Sequence, residues 1–157
     1  GWCAAAYPQN RHSSPPSLFF PPTAVGTTSA PQNVVVENLG NALKRLEEAL
    51  CEPEDSPLVI DGTIQRFEFV IELFWKTLMR LLGSEGIQTT TPREAVKAAF
   101  QAGWIDDEEK WLEMIVDRNA TSHVYNEAQA RQIYKRIRKH ALRLRKAYRL
   151  LTKQFKH

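Results

Sequence analysis

Apolar side chains recur at steps of three and four along most of the chain, and nowhere do they alternate with period two. The clearest run is Ile60, Ile64, Phe67, Ile71, Phe74, Leu78 and Leu81. These steps place all seven on one side of a helix, a stripe suited to a bundle core. A first helix is expected from Val34 to Cys51, with Leu39, Leu43, Leu46 and Leu50 at the same spacing. Pro53 and Pro57 punctuate the chain after it, and Gly83 and Gly86 end the second helix. The third opens with Thr91-Pro-Arg-Glu94, a capping box with proline in its first turn, and stops at Gly103. The fourth opens with Asp106, has Glu109 three residues on, and turns Trp111, Leu112, Ile115 and Val116 inward before running out at Ala120 to Ser122. The fifth opens with Asn126 and Gln129 in the same cap pattern and buries Ala130, Ile133, Ile137, Ala141, Leu144, Tyr148 and Leu151. The expected fold is all-α, an up-and-down bundle of four to five helices with short connections.

The first 33 residues break this pattern. Six of the nine prolines fall there, among Ser, Thr, Ala and Gly, with Arg11 as the one charged residue. Such a composition sustains neither helix nor strand, so residues 1–33 are expected to be a disordered tail and residues 34–157 the domain. At 157 residues, 43% of them hydrophobic, the chain can bury a core without disulfides or a metal. The two cysteines, Cys3 and Cys51, are too few for a disulfide framework or a thiolate zinc site, and Cys51 is expected to be a small buried residue. No apolar run approaches the roughly 20 residues of a membrane span, and the start lacks the basic region of a signal peptide. The expected compartment is the cytoplasm.

Charge alters the picture at the C-terminal end. The net charge is only +3, yet from Ala128 to His157 there are eleven Lys or Arg and no Asp or Glu. Such asymmetry fits an anionic partner, nucleic acid first. The basic helix is either a surface that follows phosphates or a solvated face.

Candidate chemistry is confined to one polar cluster, Asp117-Arg118-Asn119-Ala120-Thr121-Ser122-His123-Val124-Tyr125-Asn126, where the fourth helix gives way to the fifth. There is no glycine-rich phosphate loop, no His/Glu metal pair at helical spacing and no nucleophile elbow, so neither a cofactor nor a metal is expected. On an unbroken helix Arg118 and His123 would lie about 140° apart. A helix that frays at Thr121 and Ser122 lets His123 fold back toward Arg118. Arginine offers a cationic fork for a phosphate, and histidine accepts or donates a proton near neutral pH. Together they suffice for attack of an RNA 2′-hydroxyl on its own phosphodiester. The competing account is structural, with Arg118 capping a helix end, His123 in a turn, and Asp117 beside Arg118 in a surface ion pair of little worth. Phe67, Phe74, Trp75 and Trp111 are expected to be core rather than a base-stacking platform.

The stretch Arg66-Phe-Glu68-Phe-Val-Ile-Glu72-Leu-Phe-Trp75-Lys76, then Trp111-Leu-Glu-Met114, then Arg118-Asn-Ala-Thr-Ser-His123-Val-Tyr125-Asn126, resembles the HEPN proteins known as nucleotidyltransferase substrate-binding subunits. These are the HepT-type toxins of HEPN/MNT toxin–antitoxin pairs. The resemblance spans about Val34 to Leu151. It implies a helical bundle that dimerises to bring two Arg-x4–6-His motifs into one cleft, and a metal-independent ribonuclease acting on RNA such as tRNA. Arg118 and His123 would be catalytic, with Asn119 and Asp117 supporting. The implied partner is a minimal nucleotidyltransferase that transfers AMP to the tyrosine of the His-x-Tyr motif, here Tyr125, and so silences the nuclease in a type VII-like pair. An older reading makes the helical subunit a non-catalytic substrate-binding module of the transferase. A homodimer also answers a chemical need, because of the four histidines only His123 lies in the polar junction, and one such group is too few for both general acid and general base.

Overall fold

The stripe from Ile60 to Leu81 becomes the axis of a helical bundle. A computed structural model describes residues 30–155. They form α1 (Gln32–Cys51), α2 (Pro57–Ser84), α3 (Pro92–Gln101), α4 (Glu108–Ala120), a 3-10 turn (Thr121–His123) and α5 (Glu127–Phe155), with no strand among the described residues. All seven stripe residues are buried, and α2 packs on each of the other four helices. Each large apolar side chain so buried contributes roughly 1.5–3 kcal/mol, which offsets the cost of ordering the chain. The expected tail lies outside the described residues as far as residue 29, while Gln32 and Asn33 already belong to α1.

Cross-helix contacts fix the directions. α1 runs antiparallel to α5, since Glu47 meets Arg145 while the Leu50 carbonyl, further along α1, accepts from Arg138. α4 is also antiparallel to α5: Asp106, just before its start, reaches Arg143 and Lys146, whereas Asp117, near its end, reaches Arg136 and His140. α2 lies parallel to α5: Pro57 and Ile60 near its start line a pocket with Glu127 and Ala130 at the start of α5, and further along Phe67 stacks on His140 at 5.9 Å. Gly40 on α1 lets the Tyr148 ring lie against the helix, where a Cβ would overlap the phenol.

The helix starts follow cap chemistry. Thr91 accepts the Glu94 N–H at 3.2 Å, and the Glu94 carboxylate accepts the Thr90 N–H at 2.8 Å, close to the expected capping box. Asn126 accepts the Gln129 N–H at 2.9 Å, as expected for α5. The start of α4 differs by one residue. Asp107, not Asp106, is the cap, in the left-handed region at φ 49° with its carboxylate on the Lys110 N–H. Asp106 is freed to bind Arg143 and Lys146.

Four burial expectations need correction, that of Trp75 with the site below. Val116 is 58% exposed, because about 200° of helical rotation separates it from buried Met114, which fills the core place instead. Cys51, at the last turn of α1, is exposed, since the chain leaves the bundle at Glu52. Tyr148 is only half-buried, lying over Gly40, while Ala147 and His140 complete the inner face of α5.

Candidate active site

The junction after α4 is made by hydroxyl groups. The Thr121 hydroxyl donates to the Arg118 carbonyl at 2.6 Å, and the Ser122 hydroxyl donates to the Asn119 carbonyl at 2.9 Å. Carbonyls left over at a helix end are satisfied this way, and the last turn tightens into the 3-10 turn. Val124 is extended, and α5 restarts at Asn126. The Gln129 side chain reaches back to accept the Tyr125 N–H at 2.9 Å, which fixes the backbone between the helices.

His123 and Tyr125 project from this turn. Both are exposed, Tyr125 at 79%, and the Tyr125 hydroxyl lies 3.2 Å from His123 Nδ1. Arg118 turns the other way, toward α2. Its Nη2 lies 3.4 Å from the Glu72 carboxylate, whose other oxygen accepts from Lys76 at 2.7 Å. The Lys76 hydrogen bond, helped by the charges of Lys76 and Arg118 and opposed by burial, holds the Glu72 carboxyl below the usual glutamate range. Arg118 and Asn119 line a pocket of about 180 Å³ with Glu72 and Trp75. Trp75, expected in the core, is half-buried at its edge. No hydrogen bond joins Arg118 to His123; the break in the helix separates them toward different neighbours.

Two further positions differ from the sequence account. Asp117 does not pair with Arg118. One residue earlier is about 100° around the helix, so its carboxylate faces α5, held by Arg136 at 3.0 Å and His140 at 2.6 Å. Asn119 is exposed, and the group that steadies the Arg118 guanidinium is Glu72, 46 residues away. Sequence reasoning missed His140 and this role of Glu72. The one available signal was Glu72 in register with Lys76. No group of three or more His, Cys, Asp or Glu side chains among the described residues is arranged to hold a metal, and no helix there is long and apolar enough to cross a membrane.

A site of this form offers a half-exposed guanidinium in a cleft and, on the adjoining turn, an exposed imidazole with a phenol on one nitrogen. Comparison with known proteins agrees with the bundle. The family model described as "nucleotidyltransferase substrate binding protein like" matches residues 35–153. A probable ribonuclease HepT of Haemophilus influenzae is 36% identical over 84 residues, which is 50% of this chain and 58% of that protein. A crystal structure from Thermus thermophilus superposes with a TM-score of 0.65 at 31% identity, covering 76% of this chain and 99% of the other. With most of its length matched by one family model, and with the resemblance carried by α2 and the Arg118–Tyr125 segment, the chain belongs to the nucleotidyltransferase substrate binding protein like family, in its HepT-like HEPN form.

Proposed function

We propose that the protein is a metal-independent endoribonuclease of the HEPN toxin type, acting on RNA with tRNA among its substrates. It works as a homodimer and is silenced when a cognate minimal nucleotidyltransferase transfers AMP to Tyr125. The observation that carries this reading is the division of labour at the end of α4. Arg118 is steadied by Glu72 in a pocket, and His123 stands exposed on a turn that frees it from helical phase. The relative named ribonuclease HepT points the same way.

In the reaction, the 2′-oxygen of a nucleotide attacks the adjacent phosphorus and the bond to the 5′-oxygen breaks. The 2′-proton passes to His123 of one subunit. The leaving 5′-oxygen takes a proton from the partner subunit's His123, and Arg118 stabilises the charge on the phosphoryl oxygens. For silencing, the Tyr125 phenol oxygen attacks the α-phosphorus of ATP and pyrophosphate leaves. The attached phosphodiester brings negative charge and an adenosine to the His123 side of the cleft, repelling an RNA backbone. Tyr125 is exposed enough for a second protein to reach.

The test is cleavage of RNA by purified wild-type protein in a chelator, against His123→Ala. Cleavage that depends on His123 is expected, and equal cleavage by both proteins would overturn the assignment. A second reading, a non-catalytic substrate-binding subunit of the transferase, is favoured by the description of the family itself. It predicts no RNA cleavage by any form of the protein and a change in the transferase's own activity when the two are mixed.

A further inference from the structure

The basic residues of α5 divide by the direction they face. Those turned toward α1 and α4 are matched to acids: Arg145 with Glu47, Arg136 with Asp117, and Arg143 with Asp106 and Asp107. The side of α5 opposite the core is different. Lys135, Lys139, Leu142, Lys146, Arg149 and Lys153 follow one another at steps of four and three, and all six are exposed. The same steps continue backward through exposed Gln132 and Ala128 to the first turn of α5, next to Tyr125. Lys146 shares Asp106; Lys135, Lys139, Arg149 and Lys153 have no acid within ion-pair distance among the described residues. The eighteen residue steps from Lys135 to Lys153 make this stripe about 27 Å long.

We propose that the outer face of α5 is an RNA-backbone track that feeds the candidate active site, so that substrate is held over a length well beyond the scissile bond. The proposal rests on the ribonuclease reading above. A cation balanced by an acid on a neighbouring helix is part of the fold, whereas four unbalanced cations along one stripe, two on each side of Leu142 and Lys146, maintain a positive field that a solvated helix does not need. The near end of the stripe lies at the level of the site, because Arg136, next to Lys135, holds Asp117, next to Arg118. A second copy of the chain packed stripe to stripe is a poor occupant, since two stripes with four unpaired cations each repel. A lipid surface is also a poor one, because the face has Leu142 and Leu150 but no aromatic side chain.

The experiment measures binding of a fluorescein-labelled single-stranded RNA oligonucleotide, longer than the stripe, to the full chain carrying His123→Ala, across a salt series. In that background the set Lys135→Gln, Lys139→Gln, Arg149→Gln and Lys153→Gln is compared with a charge-matched set, Arg80→Gln, Arg93→Gln, Lys97→Gln and Lys110→Gln. The stripe set is expected to lower the slope of log affinity against log salt by about 3, from roughly 0.7 per lost contact, and the matched set to lower it by less than about 1. An unchanged slope for the stripe set overturns the track, and so does an equal loss for both sets, which would reflect net charge alone. Unchanged RNA binding with lost binding to a nucleotidyltransferase would make the face a protein-docking surface and also overturn it. RNA binding that depends on the stripe, in a protein whose wild type does not cleave RNA, would leave the track standing and remove the ribonuclease reading.

Discussion

Two histidines, His123 and His140, sit close to the end of α4 and have opposite surroundings. His140 is 8% exposed, stacked on Phe67 and hydrogen-bonded to Asp117 at 2.6 Å. His123 is exposed on a three-residue turn, with only the Tyr125 hydroxyl for company. The same side chain is therefore a strut in one place and, in the proposed reaction, the proton carrier in the other. Burial and a fixed carboxylate make the strut, and a broken helix leaves the other ring in solvent. The contrast predicts that losing each histidine damages a different property.

The largest effect is expected on catalysis. His123→Ala and Arg118→Ala should each lower RNA cleavage by about 100-fold or more, while changing stability by less than about 0.5 kcal/mol. Cleavage rates and thermal melts of the two variants check both halves. A His123→Ala protein that unfolds instead would erase the contrast.

The next effect runs the other way. His140→Ala removes a stacked ring from the core and leaves Asp117 with Arg136 alone, so a loss of about 2–3 kcal/mol is expected by denaturant titration. A His140→Ala protein as stable as wild type would show that the Asp117 pair is ornamental. Glu72→Gln is expected to act more gently. It leaves the fold but loosens Arg118, and cleavage should drop by roughly tenfold, about 1.4 kcal/mol.

The Glu72 link also has a defined pH dependence. Its carboxyl is held below the usual glutamate range, chiefly by Lys76. The stabilisation is therefore present above the unfolded-state value and is lost as pH falls through the lowered folded value. The stability difference between wild type and Glu72→Gln should stay constant from neutral to mildly acid pH and vanish only below the ordinary glutamate range. A difference that fades near neutrality would mean that Arg118 is steadied by something else. The smallest expected effect is that of Tyr125→Phe, which removes the hydroxyl beside His123. Cleavage should stay within about threefold of wild type, under 1 kcal/mol, while mass spectrometry after incubation with transferase and ATP should find no added AMP. Modification of the Phe variant would place the acceptor elsewhere.

The sequence disclosed what depends on local spacing. The seven α2 stripe positions are all buried, and the caps at Thr91 and Asn126 stand as expected, since each is set within four residues. The helix break at Thr121 was legible for the same reason. Less legible were the links that tertiary packing creates. Glu72 to Arg118 spans 46 residues and Asp117 to His140 spans 23, and neither leaves a periodic trace. Val116 was misjudged by a small error of helical phase, since one residue is about 100°, enough to turn a core position into a surface one, and Asp106 by one residue in the choice of cap.

The 3-10 turn bears on how this domain tolerates change in length. α4 ends on its own hydroxyl cap, and α5 is reset independently by Asn126 and Gln129. A residue inserted between Ser122 and Val124 would thus shift His123 against Arg118 without rotating either helix in its packing. Such an insertion uncouples reactivity from architecture, so the segment can be retuned in reach while every buried contact of the bundle stays in register.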